Sequence, residues 1–200
     1  MLAPPELFGI VEDQIYRCSE IDPLNFPFLF TLSLKTILLI SKERPTPAVE
    51  LFAREHDIHI AHMQIPPWRM SEEEWKLLPD STVQSCLSYA LNKNHYPLLI
   101  IDLSCTFIGV LRKLQHWNLS SIINEYREMS FDRSQYLYEL YIELVDISKF
   151  SLPRFKYLAD ADRFAVDDSN NGGVHLMSLP DWFIDQEKMW QMDKALLHAS

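Results

Sequence analysis

Two short runs constrain this chain more than any other feature. Thr36-Ile37-Leu38-Leu39-Ile40 and Pro97-Leu98-Leu99-Ile100-Ile101 are apolar almost throughout and rich in branched side chains. A strand takes that composition when helices cover both of its faces. Shorter runs at Ile15-Tyr16-Arg17 and at Ile58 to Met63 read as two further strands. Between and after them the apolar period lengthens to that of a helix. A helix opens at Pro45-Thr46-Pro47 with Ala48, Leu51 and Phe52 on one side, and Ser71 with Glu74 has capping-box spacing. Asp80 or Ser81 can cap the next helix, on which Val83, Cys86, Leu87 and Ala90 share a face. Three helices follow, striped by Phe107, Val110, Leu111 and Leu114, then by Ile122, Ile123 and Tyr126, then by Leu137, Leu140, Tyr141 and Leu144. Strands alternating with helices predict an α/β fold, a mainly parallel sheet flanked by helices, over residues 1–150. From Ser151 the pattern weakens. Residues 151–200 read as a C-terminal extension with a mobile acidic loop, Asp167 to Gly173, and an aromatic tail of Trp182, Phe183 and Trp190.

Charge narrows the choice of partner. With 18 Lys and Arg against 28 Asp and Glu, the chain carries a formal charge of −10. That gives it no general attraction to a phosphate backbone or an anionic membrane surface. The most apolar stretch, Pro97 to Leu114, contains Asp102, Arg112 and Lys113, so it does not read as a membrane span. The first residues show neither a basic region nor an apolar signal core. Three cysteines without a paired pattern suit reduced thiols, and a cytoplasmic location is expected.

In an open α/β sheet, ligands bind beyond the carboxyl ends of the strands. The segment to inspect is therefore Asp102-Leu103-Ser104-Cys105-Thr106, between the fourth strand and its helix. A cysteine in this place suggests a C-x5-R phosphatase loop, with a thiolate nucleophile and an arginine holding the phosphate oxygens. The spacing fails at every cysteine: six residues beyond Cys18, Cys86 and Cys105 stand Leu24, Asn92 and Leu111. Arg112 misses by one position. Cys105 without a basic neighbour reads as a structural thiol, and Cys86 lies on a core stripe. Asp102-x-Ser104-x-Thr106 also suggests an aspartate-nucleophile phosphatase of the haloacid dehalogenase type, but Ser104 stands where that chemistry needs its second carboxylate. His56, His59 and His62 cross a helix end and a strand, where odd separations turn them to opposite faces. No metal site and no cofactor are expected. Glu72-Glu73-Glu74 reads as a solvated first helical turn.

Several blocks agree with one known group. Pro4-Pro5-Glu6-x-Phe8, Ile15-Tyr16-Arg17-x-Ser19, Asn25-Phe26-x-Phe28-Leu29, Leu34 to Leu38, Tyr96 to Ile100, Ile108-Gly109-Val110-Leu111-Arg112-Lys113-Leu114-Gln115-x-Trp117 and Ser121 to Arg127 resemble the atypical dual-specificity phosphatases of fungi and plants. More narrowly the chain resembles the fungal Oca proteins, named for oxidant-induced cell-cycle arrest. Met1-Leu2-x-Pro4-Pro5 and Leu179-Pro180-Asp181-Trp182-Phe183 resemble a non-catalytic member with a C-terminal extension. Active members carry His-Cys, a basic glycine-containing loop and Arg-Thr-Gly. Matched from the strand, Ile101 stands at the histidine and Asp102 at the cysteine. Matched back from Gly109, the loop is about five residues short. An ionised Asp102 would repel a phosphate by about 1–4 kcal/mol per unit charge at about 4 Å. The resemblance implies a pseudophosphatase that binds other Oca-family phosphatase-like proteins in a cytoplasmic hetero-oligomer linked to inositol pyrophosphate and stress signalling. The competing expectation is a residual protein-tyrosine or inositol pyrophosphate phosphatase. Trp182, Phe183 and Trp190 are the candidate partner-binding residues, with packing on the chain's own domain as their alternative.

Overall fold

The two apolar runs occupy the middle of the sheet. The structure is a computed structural model that describes residues 2–65, 76–130, 134–152, 155–158, 163–166 and 178–199. β1 (Gly9–Glu12), β2 (Ile15–Cys18), β3 (Thr36–Ser41), β4 (His59–Gln64) and β5 (Leu98–Asp102) form one sheet in the order β1-β2-β5-β3-β4. Every pairing is parallel except β1 with β2. All five residues of β5 are buried, as a central strand between helical layers requires.

Helices cover both faces. α1 (Phe26–Thr31) and α2 (Pro47–Glu55) bury Leu29, Val49, Phe52 and Ala53 against Ile37, Leu99 and Ile101. On the other face, α3 (Asp80–Ala90) and α4 (Thr106–Leu114) bury Val83, Cys86, Leu87, Phe107, Val110 and Leu111 against Leu38, Leu98 and Ile100. α5 (Leu119–Ser130) and α6 (Tyr136–Leu144) flank α4 and close a small cluster of Cys105, Ile122, Tyr126 and Ile142. β6 (Phe155–Leu158) and β7 (Arg163–Val166) pair antiparallel as a separate ribbon, and α7 (Asp181–Ala199) ends the described chain.

The sequence pattern located the parallel sheet and missed or shifted smaller features. β1 and α1 were not expected: a four-residue edge strand buries little, and α1 depends on a turn at Pro23–Asn25 that Asp22 caps by accepting from Leu24 N at 2.9 Å. α2 buries Val49, Phe52 and Ala53 and leaves Leu51 exposed. Asp80 is not the cap of α3. It lies in the first turn and pairs with Lys76 at 3.0 Å, while Pro79 precedes the helix. α6 turns Tyr141 and Ile142 inward, one position round from the expected stripe, so that Leu137 and Leu144 are exposed. The expected capping box at Ser71, the acidic run at Glu72 and the loop Asp167 to Gly173 lie outside the described residues.

Gly109 sets how closely α4 approaches α6. A Cβ there would lie 2.8 Å from both Cγ1 and Cδ1 of Ile142, a fully buried branched side chain that would have to shift. Gly109→Ala should gain about 1 kcal/mol of helix propensity and lose about 1–3 kcal/mol to overpacking. The net result expected is a lower midpoint in urea unfolding, partly restored by adding Ile142→Val. A midpoint at or above that of the unsubstituted chain would show that the two helices separate freely.

Candidate functional site

The segment between β5 and α4 is a three-residue turn, Leu103-Ser104-Cys105, closed by Cys105 N donating to Asp102 O at 3.1 Å. Cys105 adopts a left-handed backbone, φ 56°, which sends the chain directly into α4. The first amides of a helix have no partner within it, and here side chains of the turn supply them. Asp102 Oδ2 accepts from Phe107 N at 2.9 Å, and Ser104 Oγ accepts from Thr106 N at 3.4 Å. Asp102 Oδ1 accepts from Ser104 N at 2.9 Å and from Ser104 Oγ at 2.6 Å. Every backbone N–H from Ser104 to Phe107 is thus bonded inside the turn itself. An anion held at a strand–helix junction needs such amides free and pointing at it. Here the anion is the protein's own carboxylate. Asp102 is 3% exposed, and burial lifts its carboxyl above the usual carboxylate range while the bonds from Ser104 and Phe107 oppose that shift.

The other chemistry-bearing residues are committed elsewhere. Cys105 is buried, and its Sγ donates toward the carbonyls of Asp102 at 3.6 Å and Met129 at 3.7 Å. Burial pushes the Cys18 thiol up to about 12 and raises that of Cys86 as well. Arg112 spends four of its five donors on protein: Nε and Nη2 on Glu125, Nη1 on Glu12 and Gln115, all at 2.8–3.0 Å. The Trp117 ring covers it, 4.4 Å from the guanidinium carbon to the centroid. Glu125 also pairs with Arg17 at 3.2 Å, so one carboxylate fastens β2 to α4 and α5. Arg17 is held below its ordinary value by burial, with Glu125 acting in the opposite direction.

Beyond the carboxyl ends of β2, β3 and β5 lies a cavity of about 440 Å³. Its floor is apolar, with Ile37, Leu39 and Ile101, and Asp102 and Ser104 reach it from the turn. Lys42 and Arg44 stand in its wall, offset by Glu20, Glu43 and Asp102. Lys42, Arg44 and Tyr138 were missed from the sequence. The first two sit just past a strand end, which was the available signal, whereas Tyr138 arrives from α6 and had none.

The three histidines do not meet. His56 packs on the rings of Phe30 and Phe52, His59 on Tyr89, and His62 Nε2 lies 3.1 Å from Ser41 O. The candidate partner residues of the tail are engaged within the chain. Phe183 is buried in the main core, Trp182 donates from Nε1 to Tyr96 Oη at 3.3 Å, and Trp190 stacks on His116 with centroids 4.3 Å apart.

The fold is shared by known proteins. Residues 2–160 match the model of the family described as "Tyrosine phosphatase family". The chain belongs to that family. Within the family it is similar to the Dictyostelium discoideum protein named "Probable tyrosine-protein phosphatase DG1060": 35% identity over 164 residues, covering 78% of this chain and 97% of that protein. OCA1 of Kluyveromyces lactis is 35% identical over 162 residues, covering 78% and 77%. Protein OCA4 of Saccharomyces cerevisiae is 30% identical, covering 74% of this chain and 56% of its own length. These relatives place the chain with the Oca group. Among solved structures, the core catalytic domain of the PP-IP phosphatase SIW14 from S. cerevisiae, in complex with citrate, superposes with a TM-score of 0.66 at 29% identity, covering 74% of this chain and 91% of that one. The family match ends before α7 begins.

The raised Asp102 carboxyl has a consequence for stability. The folded protein keeps this proton to higher pH than the unfolded chain, whose Asp titrates near about 3.9. The site's contribution is therefore complete at low pH and declines as pH rises from about 4 through the raised value. In urea unfolding between about pH 4 and about pH 7, the unsubstituted chain should lose stability relative to Asp102→Asn. A difference that stays constant or grows with pH would mean that the carboxylate is favoured, not penalised, by its burial.

Proposed function

We propose that this chain is a pseudophosphatase: a phosphatase-fold subunit that works by protein–protein binding, assembled with other Oca-group proteins in the cytoplasm. Cysteine-dependent phosphoryl transfer requires a thiolate at the strand end, backbone amides around the phosphoryl oxygens and a free guanidinium. The observation that carries the proposal is the closed turn, where Asp102 stands at the strand end and no amide from Ser104 to Phe107 remains for a substrate. Arg112 would have to break bonds to Glu125, Glu12 and Gln115 before it could reach a phosphate. The relation to SIW14, described as a PP-IP phosphatase, supports a connection with inositol pyrophosphate signalling through that group of proteins. The three buried thiols suit a reducing compartment.

Purified protein should show no turnover of para-nitrophenyl phosphate or of an inositol pyrophosphate that disappears with Cys105→Ser or Asp102→Asn. In ¹⁵N–¹H spectra the amides of Ser104 to Phe107 should not move when inorganic phosphate is added. Turnover sensitive to either substitution would defeat the proposal and establish a residual protein-tyrosine or inositol pyrophosphate phosphatase. Mixed with purified Oca-group relatives, the chain should sediment as a complex with at least one; separate species with all of them would remove the partnership.

A further inference from the structure

The two edges of the sheet are built differently. β1 is four residues long, and its register breaks between Ile10 and Glu12. Such a bulge discourages another strand from adding to that side. β4 is six residues long and pairs with β3 without interruption from Thr36↔His59 to Ser41↔Gln64. Its sequence, His59-Ile60-Ala61-His62-Met63-Gln64, contains no lysine and no proline, the usual protections of an exposed edge. His59 N donates to Lys35 O at 2.9 Å and Ile65 N to Ser41 O at 3.1 Å, so the odd-numbered residues turn their backbone groups toward β3. By alternation, Ile60, His62 and Gln64 turn theirs outward. No described strand lies on that side.

Beside this edge runs an open groove of about 410 Å³. Arg44, Arg54 and His62 line it together with Ile58 and Ile60, and among the described residues Glu50 is its one carboxylate. Arg44 and Arg54 are exposed, and neither makes an ion pair with any described residue. In a chain of net charge −10, such a concentration of positive charge selects its occupant. A second copy paired edge to edge would bring the two arginine pairs together.

We propose that the β4 edge is a docking site for an extended acidic segment of a partner protein, added to the sheet as a sixth strand. Main-chain bonds to Ile60, His62 and Gln64 supply the binding, and every second side chain of the added strand faces the groove. Carboxylates at those positions meet Arg44 and Arg54, while apolar residues between them continue the opposite face. The inference rests on the protein-binding reading above and assigns it a surface.

The probe is a fluorescein-labelled peptide of four Val-Glu repeats, with four Val-Lys repeats as control. The acidic peptide should bind with a Kd of about 10–100 µM and the basic one at least about tenfold more weakly. The amides of Ile60, His62 and Gln64 should shift on titration while those of Gly9 to Glu12 stay fixed. Arg44→Glu with Arg54→Glu should cost about tenfold in affinity. Gln64→Pro, at an exposed position whose N–H points outward, should weaken binding without lowering the melting midpoint. Absence of binding at about 1 mM, equal binding of both peptides, or shifts confined to another surface would overturn the proposal. So would a dimer in sedimentation that Gln64→Pro dissolves, since it would give the edge to a second copy. If the double arginine variant and Gln64→Pro leave a complex with an Oca-group relative intact, only the assignment of this surface falls. If the unsubstituted chain forms no such complex, the binding-protein reading falls first.

Discussion

Helix α4 starts inside the protein, at the end of a fully buried strand, and its first amides must find acceptors there. An unmade hydrogen bond in such a place costs about 1–3 kcal/mol. In an anion-binding protein a ligand oxygen can be that acceptor. Here Asp102, the last residue of β5, folds its carboxylate over the helix start and accepts from Ser104 and Phe107. Cys105 takes the left-handed conformation that lets so short a turn close. The junction is complete without any bound molecule.

A second polar device holds the structure around this turn. Glu125 binds Arg112 through both oxygens and Arg17 through one, tying β2, α4 and α5 together, and Glu12 on β1 joins through Arg112 and Gln115. A buried ion pair is weak evidence for stability when compared with apolar packing, but removing one partner from such a network is costly. The geometry of the strand–helix–helix unit is therefore set by charge pairing as well as by the apolar stripes of α4 and α5.

The C-terminal region adds a third layer of constraint. Lys93 pairs with Asp181 at 2.7 Å, Gln186 donates to Gln115 O at 2.6 Å, and His116 meets Glu187 at 2.6 Å under the Trp190 ring. These contacts lay α7 along the end of α4 and bring Phe183 into the core beside α3. Of the tail aromatic residues, Phe183 is buried, and Trp182 and Trp190 are half-buried against Tyr96 and His116. The β4 edge, with Arg44 and Arg54 beside it, lies away from these contacts.

Local pattern was enough for the sheet and for locating the turn between β5 and α4. Two short apolar runs rich in branched residues read as covered strands, the helical stripes between them favour parallel crossovers, and the failed cysteine–arginine spacing is a fact of the chain at Cys105 and Arg112. Short elements such as β1 and α1 carry too few apolar residues to announce themselves, and the stripe on α6 was misplaced by one position because Ile142, not Leu144, meets Gly109. Everything that depends on residues distant in sequence was decided by the tertiary structure. The sharing of Glu125 by two arginines, the burial of Phe183 and the neighbouring positions of Arg44, Arg54 and His62 arise only when separate elements are brought to the same place. A periodicity records how one segment meets the core, and it holds no information about which other segment lies opposite.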